Sequence, residues 1–117
     1  MVDKSIIESI KHYLIELLRL GVPVKFGILY GSNTDKYKAD KWSDIDLLVI
    51  SPLYDNPYTR DDINVLWKTA AKIDSRIEPI PVGLEQWDTD DGSTIIEIAR
   101  REGIKIDAPP ESIIHTG

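Results

Sequence analysis

The chain predicts a small α/β (α+β) domain, a mixed sheet of three to four short strands with helices packed on it. Three observations carry that expectation. A strongly amphipathic stretch opens the sequence, two short β-branched apolar runs follow, and helical and extended patterns then alternate to about residue 106.

From about Ser5 to Leu20, the residues Ile6, Ile7, Ile10, Tyr13, Leu14, Leu17 and Leu18 recur at helical spacing and form one broad apolar face. Ser5 with Glu8 reads as a capping box, and Gly21 followed by Pro23 reads as the stop. Val24–Tyr30 is a short apolar run of strand type. Ile45–Ile50 is a second, so nearly continuous in apolar residues that both faces should be buried beyond the acids at its start. Ser51–Tyr58 holds two prolines and an Asp-Asn pair and reads as a loop.

Thr59 then caps a second helix. Asp61 and Asp62 lie in its first turn, where the helix dipole favours them, and Ile63, Leu66, Trp67, Ala70 and Ile73 form its apolar stripe. Arg76–Val82 reads as a strand, and Pro79 and Pro81 assign it to an edge or to irregular pairing, because each removes a ladder donor. A last helix, from about Thr94 to Glu102, turns Ile95, Ile98 and Ala99 inward and stops at Gly103. Ile104–Ile106 can add a short final strand. Residues 1–108 are thus expected to form one domain, and 109–117 a flexible tail that begins with two prolines.

Bulk properties narrow the function classes. The 117 residues suffice for one domain, and a chain of that size buries roughly two-thirds of its unfolded surface, so a core needs no cross-links. The absence of cysteine excludes disulfides and thiolate metal sites and suits the cytoplasm. Apolar runs are far shorter than a membrane span, and the first residues lack the features of a signal peptide. With 14 basic against 20 acidic residues the net charge is −6, which disfavours extended nucleic acid, whose binding needs clustered Lys and Arg. A single nucleotide arriving with its own Mg²⁺ meets no such objection.

The chemistry-bearing residues sit around the two apolar runs. Gly31-Ser32 leaves the first, followed by the turn formers Asn33, Thr34 and Asp35. Glycine there lets backbone amides approach a phosphate closely, and the serine hydroxyl adds a donor. Asp44 and Asp46 open the second run. Strand alternation puts both carboxylates on one side, roughly 6.6 Å apart along the backbone, where they repel unless a cation lies between them. A hard divalent ion such as Mg²⁺ is the natural candidate, because it takes one or two carboxylates together with substrate phosphates. Glu78, in the run Arg76–Pro81, is a carboxylate among apolar residues and needs either a metal or a cationic partner such as Arg76. His12 and His115 have no partner at ligand spacing. Trp42 can stack on a base or pack on its loop, and Trp67 and Trp87 read as core or partner surface.

Gly31-Ser32, a spacer, Ser43–Val49 (SDIDLLV) and a later strand acid together resemble the nucleotidyltransferase superfamily related to DNA polymerase beta, and at this length its minimal nucleotidyltransferase (MNT) branch. The resemblance runs from the leading helix to Ile106. It implies a Mg²⁺-dependent transfer of a nucleoside monophosphate, most often AMP from ATP, in which Asp44, Asp46 and Glu78 hold the metal and Gly31 and Ser32 hold the outer phosphates. Glu78 also aids deprotonation of the acceptor hydroxyl. The resemblance further implies a partner, since minimal members often work with a separate helical protein, and some are antitoxins that modify a HEPN toxin; a homo-oligomer can also complete the site. The chain departs from the pattern after Gly-Ser, where Asn33-Thr34-Asp35-Lys36 replaces the usual arginine and second glycine. That motivates an alternative, a non-catalytic antitoxin-like module that neutralises a helical partner by contact, with Leu84–Trp87 and Ile113-Ile114 as candidate interface. A third reading is a regulator that binds Mg²⁺–ATP without transfer.

Overall fold

The amphipathic opening of the chain forms α1 (Lys4–Arg19), followed by β1 (Phe26–Tyr30) and β2 (Ile45–Ile50). A one-turn 3-10 helix (Pro52–Asp55) leads to α2 (Arg60–Ile73), β3 (Ile77–Val82), α3 (Leu84–Thr89), α4 (Thr94–Glu102) and β4 (Ile104–Asp107). The computed structural model describes residues 4–31, 44–90 and 92–109; nearly all of the expected tail, 110–117, lies outside them.

The four strands form one sheet in the order β3-β2-β1-β4. β1 is antiparallel to both β2 and β4, and β2 is parallel to β3, so the sheet is mixed. One face meets α1 and α2 through a core that includes Ile10, Leu14, Leu17, Leu29, Leu47, Val49, Leu66 and Ile77. The other face carries Phe26, Ile28, Leu48, Ile50 and Val82 against Ile96 and Ala99 of α4. Helices on both sides explain why β2 reads as a continuous apolar run: Leu47 to Ile50 are all fully buried.

Local chemistry secures these elements. Thr59 and Asp62 form a reciprocal capping box at α2, with Thr59 N–H donating to Asp62 Oδ2 at 2.8 Å. The buried Tyr13 hydroxyl donates to the Leu66 carbonyl at 2.9 Å and so ties α1 to α2. Ser51, also buried, donates to the Pro23 carbonyl at 2.9 Å and accepts from Leu53 N–H at 3.1 Å, which joins the end of β2 to the approach to β1.

The corner between α2 and β3 decides where the site forms. Asp74 N–H ends α2 on the Ala70 carbonyl (2.8 Å), and its carboxylate accepts from Arg76 N–H (3.1 Å), Nε (3.0 Å) and Nη2 (2.7 Å). The Arg76 carbonyl then accepts from Ile45 N–H at 2.8 Å, and the parallel ladder proceeds in the register Ile45↔Ile77, Asp46↔Glu78.

Several details differ from expectation. α1 already includes Lys4, so Ser5 lies within the helix rather than capping it, and Leu20 falls in the turn beyond. Val24 and Lys25 precede β1 instead of belonging to it. On α2 the buried residues are Leu66, Thr69 and Ala70, while Trp67 is 47% exposed. On α4 Ile96, not Ile95, faces the sheet, because the contact row is Ile96, Ala99 and Gly103. A Cβ at Gly103 would come 2.5 Å from Ile28 Cγ2, so the helix end lies directly on β1. α3 was not anticipated; the carboxylate of Asp55, reaching across from the 3-10 turn, caps it by accepting from Glu85 N–H (2.9 Å) and Gln86 N–H (3.1 Å). Leu84 and Trp87 accordingly pack against the second core instead of standing free, with Trp87 edge-on to Phe26 at 6.1 Å.

The prolines of β3 follow the edge rule. Ile45 N–H meets the Arg76 carbonyl and Ser51 N–H meets the Val82 carbonyl, so even-numbered residues of β3 turn their backbone toward β2. Pro79 and Pro81 occupy outward positions, where the missing N–H costs the ladder nothing.

Replacing Asp74 with Ala should destabilise the fold by about 1–2 kcal/mol in urea titration at neutral pH, since it removes a mostly buried, charge-assisted cap. Arg76 holds the Asp74 carboxyl below its ordinary 3.8, so this stabilisation is present above that value and is lost as pH falls through the lowered one; the deficit of the variant should vanish in acid.

Candidate functional site

Register brings three side chains into one row across the sheet. Tyr30 pairs with Asp46 on β2, and Asp46 pairs with Glu78 on β3. Alternation along each strand puts this row on the face that carries Ile28, Leu48, Ile50, Ile80 and Val82, beyond the part those residues share with α4. It is the end of the sheet where β1 leaves and β2 and β3 begin. Asp44, immediately before β2 and two residues from Asp46, is exposed; Asp46 and Glu78 are partly buried.

Neighbouring strands lie about 4.8 Å apart, which brings carboxylates in register within hydrogen-bond reach. Asp46 and Glu78 stand close enough to share a proton, and Glu78 also faces Asp44. Partial burial, then the negative charges of Asp44 and Asp46, push the Glu78 carboxyl above its ordinary 4.5. Burial and the charge of Asp44 also raise Asp46 above 3.8, against the hydrogen bond from Glu78. The Tyr30 hydroxyl is pushed up to about 12, by burial first and then by Asp46 and Glu78. Asp46 and Glu78 therefore act as one electrostatic unit, on which the charge of Asp44 bears.

Gly31 closes the cluster from the β1 side. Its φ of +83° is the left-handed region that favours glycine, and a Cβ there would come 2.5 Å from Asp46 Oδ2. The backbone thus passes against the carboxylate with no side chain between them. Ser32, Lys36, Trp42 and His115 lie outside the described residues. His12 is exposed on α1. Arg76, the alternative partner for Glu78, directs Nη2 and Nε to Asp74.

Among the described residues, no group of three or more His, Cys, Asp and Glu side chains stands as a ready-made metal centre. The donor set is nevertheless carboxylate oxygen alone, the type that suits a hard cation sharing its shell with phosphate oxygens rather than one enclosed by protein. Tyr30 is the residue that sequence reasoning missed. Its place next to Gly31 was a signal, but only the β1–β2 register sets it beside Asp46.

No known family profile and no curated protein matches the chain. Among solved structures, it is similar to one described as "Crystal structure of the toxin-antitoxin with AMP-PNP", with a TM-score of 0.56 and 19% identity over 89% of this chain and 79% of that one. The two share a fold. Among the described residues, no helix is long and apolar enough to cross a membrane.

The raised carboxyls make a stability prediction. The folded chain holds protons there that the unfolded chain releases, so these groups make stability fall as pH rises from the ordinary carboxylate range through the raised values. Glu78→Gln should therefore melt a few degrees above the wild type at neutral pH in metal-free buffer. Its advantage should shrink as pH falls through that window and disappear below it.

Proposed function

We propose that the chain is a Mg²⁺-dependent nucleotidyltransferase of the minimal type, which moves AMP from ATP onto a hydroxyl of a protein or small molecule. On this reading it works in the cytoplasm as the antitoxin of a pair with a helical, HEPN-like partner, and residues 1–108 make up its one domain. The observation that carries the reading is the register of β2 against β3. It sets Glu78 beside Asp46, with Asp44 two residues away and the bare backbone of Gly31 against them. The shared fold with a protein described as a toxin–antitoxin bearing AMP-PNP agrees with it in kind.

Asp44, Asp46 and Glu78 would hold Mg²⁺, which offsets the charge of the triphosphate and of the departing pyrophosphate. Gly31, with Ser32 after it, receives the outer phosphates, because a backbone without a Cβ lets amides come close. Glu78 holds a proton more tightly than an ordinary glutamate, which fits it to receive one from the acceptor hydroxyl. As that oxygen bonds to the α-phosphorus, the bond from the α-phosphorus to the bridging oxygen breaks and pyrophosphate leaves. Glu78 lies on an edge strand, so an acceptor can reach it from outside the sheet.

A second reading, neutralisation by contact alone, is favoured by the exposed Trp67 (47%) and Tyr58 (42%) on and beside α2, a surface suited to a helical partner. The two separate cleanly. With ATP, Mg²⁺ and the partner, the wild type should add the mass of AMP to the partner, and Asp46→Asn should slow this by about a hundredfold or more. Neutralisation that needs neither nucleotide nor Asp46 would favour contact alone.

A further inference from the structure

The two edges of the sheet are unlike. On β3 the outward backbone positions are 77, 79 and 81; two are prolines, and Ile77 N–H is already bonded to the Asp74 carbonyl at 3.0 Å. A further strand finds no donor there. On β4 the Ala108 N–H donates to the Lys25 carbonyl at 3.2 Å, so even-numbered residues face β1, while Lys105 and Asp107 turn N–H and C=O outward. Gly103 N–H is bonded to the Ala99 carbonyl at 2.8 Å, and Pro109 has no N–H. The outward donors of this edge are therefore confined to Lys105 and Asp107.

We propose that β4 pairs antiparallel with β4 of a second copy of this chain, about a two-fold axis through Ile106. Charge selects both occupant and register. In a two-fold antiparallel pair an outward-facing residue must meet another outward-facing one. Centring on residue 105 sets lysine against lysine, and centring on residue 107 sets aspartate against aspartate. Centring on Ile106 sets Lys105 of each copy opposite Asp107 of the other, and each such pair exchanges both of its backbone hydrogen bonds. Within one chain both side chains are mostly exposed, 57% and 79%, and meet each other only along the strand at 3.6 Å. A lysine on an edge commonly blocks strand addition; followed two residues later by aspartate, it admits one register and disfavours its neighbours.

Residues directly opposite one another project to the same face, so the sheet continues across the seam with α1 of both copies on one side. A groove of about 450 Å³ lined by Ile7, Lys11, Ile104 and Ile106 lies along that seam. β3 is the far edge of the sheet, so pairing at β4 leaves Glu78 uncovered, and the proposal stands apart from the catalytic reading.

Sedimentation equilibrium of the full chain tests it. The wild type should approach twice the 13.3 kDa chain mass as concentration rises. Lys105→Asp or Asp107→Lys alone places like charges opposite each other twice per dimer and should weaken association by roughly tenfold or more. The combined K105D/D107K exchange should restore it. Circular dichroism melts show that each variant folds, which matters because Lys105 Nζ also sits 4.5 Å from the centre of the Phe26 ring. As the chain has no cysteine, Ile106→Cys should in addition give a disulfide-linked dimer on oxidation, its pair having Cα atoms about 4.5 Å apart. A chain that stays monomeric to millimolar concentration, a dimer indifferent to both single changes, or a double exchange that fails to restore association would overturn the proposal.

Discussion

The site depends on the parallel pairing of β3 with β2. Ile45 N–H on the Arg76 carbonyl starts that ladder, and the Asp74–Arg76 corner presents the carbonyl. A slip of one residue would turn Glu78 to the opposite face, away from Asp46 and among the apolar residues under α1 and α2. The arrangement holds because β2 is buried on both faces and cannot shift without exposing Leu47 to Ile50. Packing that has nothing to do with chemistry thus fixes where three carboxylates meet.

That meeting opposes stability. Desolvation and mutual repulsion raise Asp46 and Glu78 together, so the fold carries at this end a cluster that is more stable partly protonated than fully charged. A cation held there would relieve the repulsion, so on the proposed reading metal binding would also stabilise the fold. Gly31 belongs to the same economy of space. Its left-handed turn brings the backbone against Asp46 and leaves that approach without a side chain. Charge is thus gathered at one end of an otherwise well-packed sheet, beside a glycine turn that keeps the approach clear.

Much of this was legible in the sequence, and the limits have physical causes. The amphipathic period of α1, the buried run of β2, the N-cap at Thr59 and the edge character of a strand with two prolines are local signals, and each appears in the structure. Asp44, Asp46 and Gly31 could be singled out because alternation and turn chemistry are local too. Whether Glu78 joins those acids or pairs with Arg76 turns on a long-range register that no window of sequence contains. The structure sets Glu78 beside Asp46 and Arg76 on Asp74. Tyr30 escaped notice for the same reason. The one-residue error on α4, Ile95 for Ile96, arose because both are isoleucine and only the contact of Gly103 with β1 decides the helix rotation. α3 is too short for a periodic signal, and its cap comes from Asp55, thirty residues away from Glu85.

The most direct test of the carboxylate cluster as a metal–nucleotide site is titration calorimetry of the wild-type chain with AMP-PNP, in Mg²⁺ and again in EDTA. Saturable binding in Mg²⁺ that EDTA abolishes is the expected result. Equal binding in both buffers, or none in either, would contradict it.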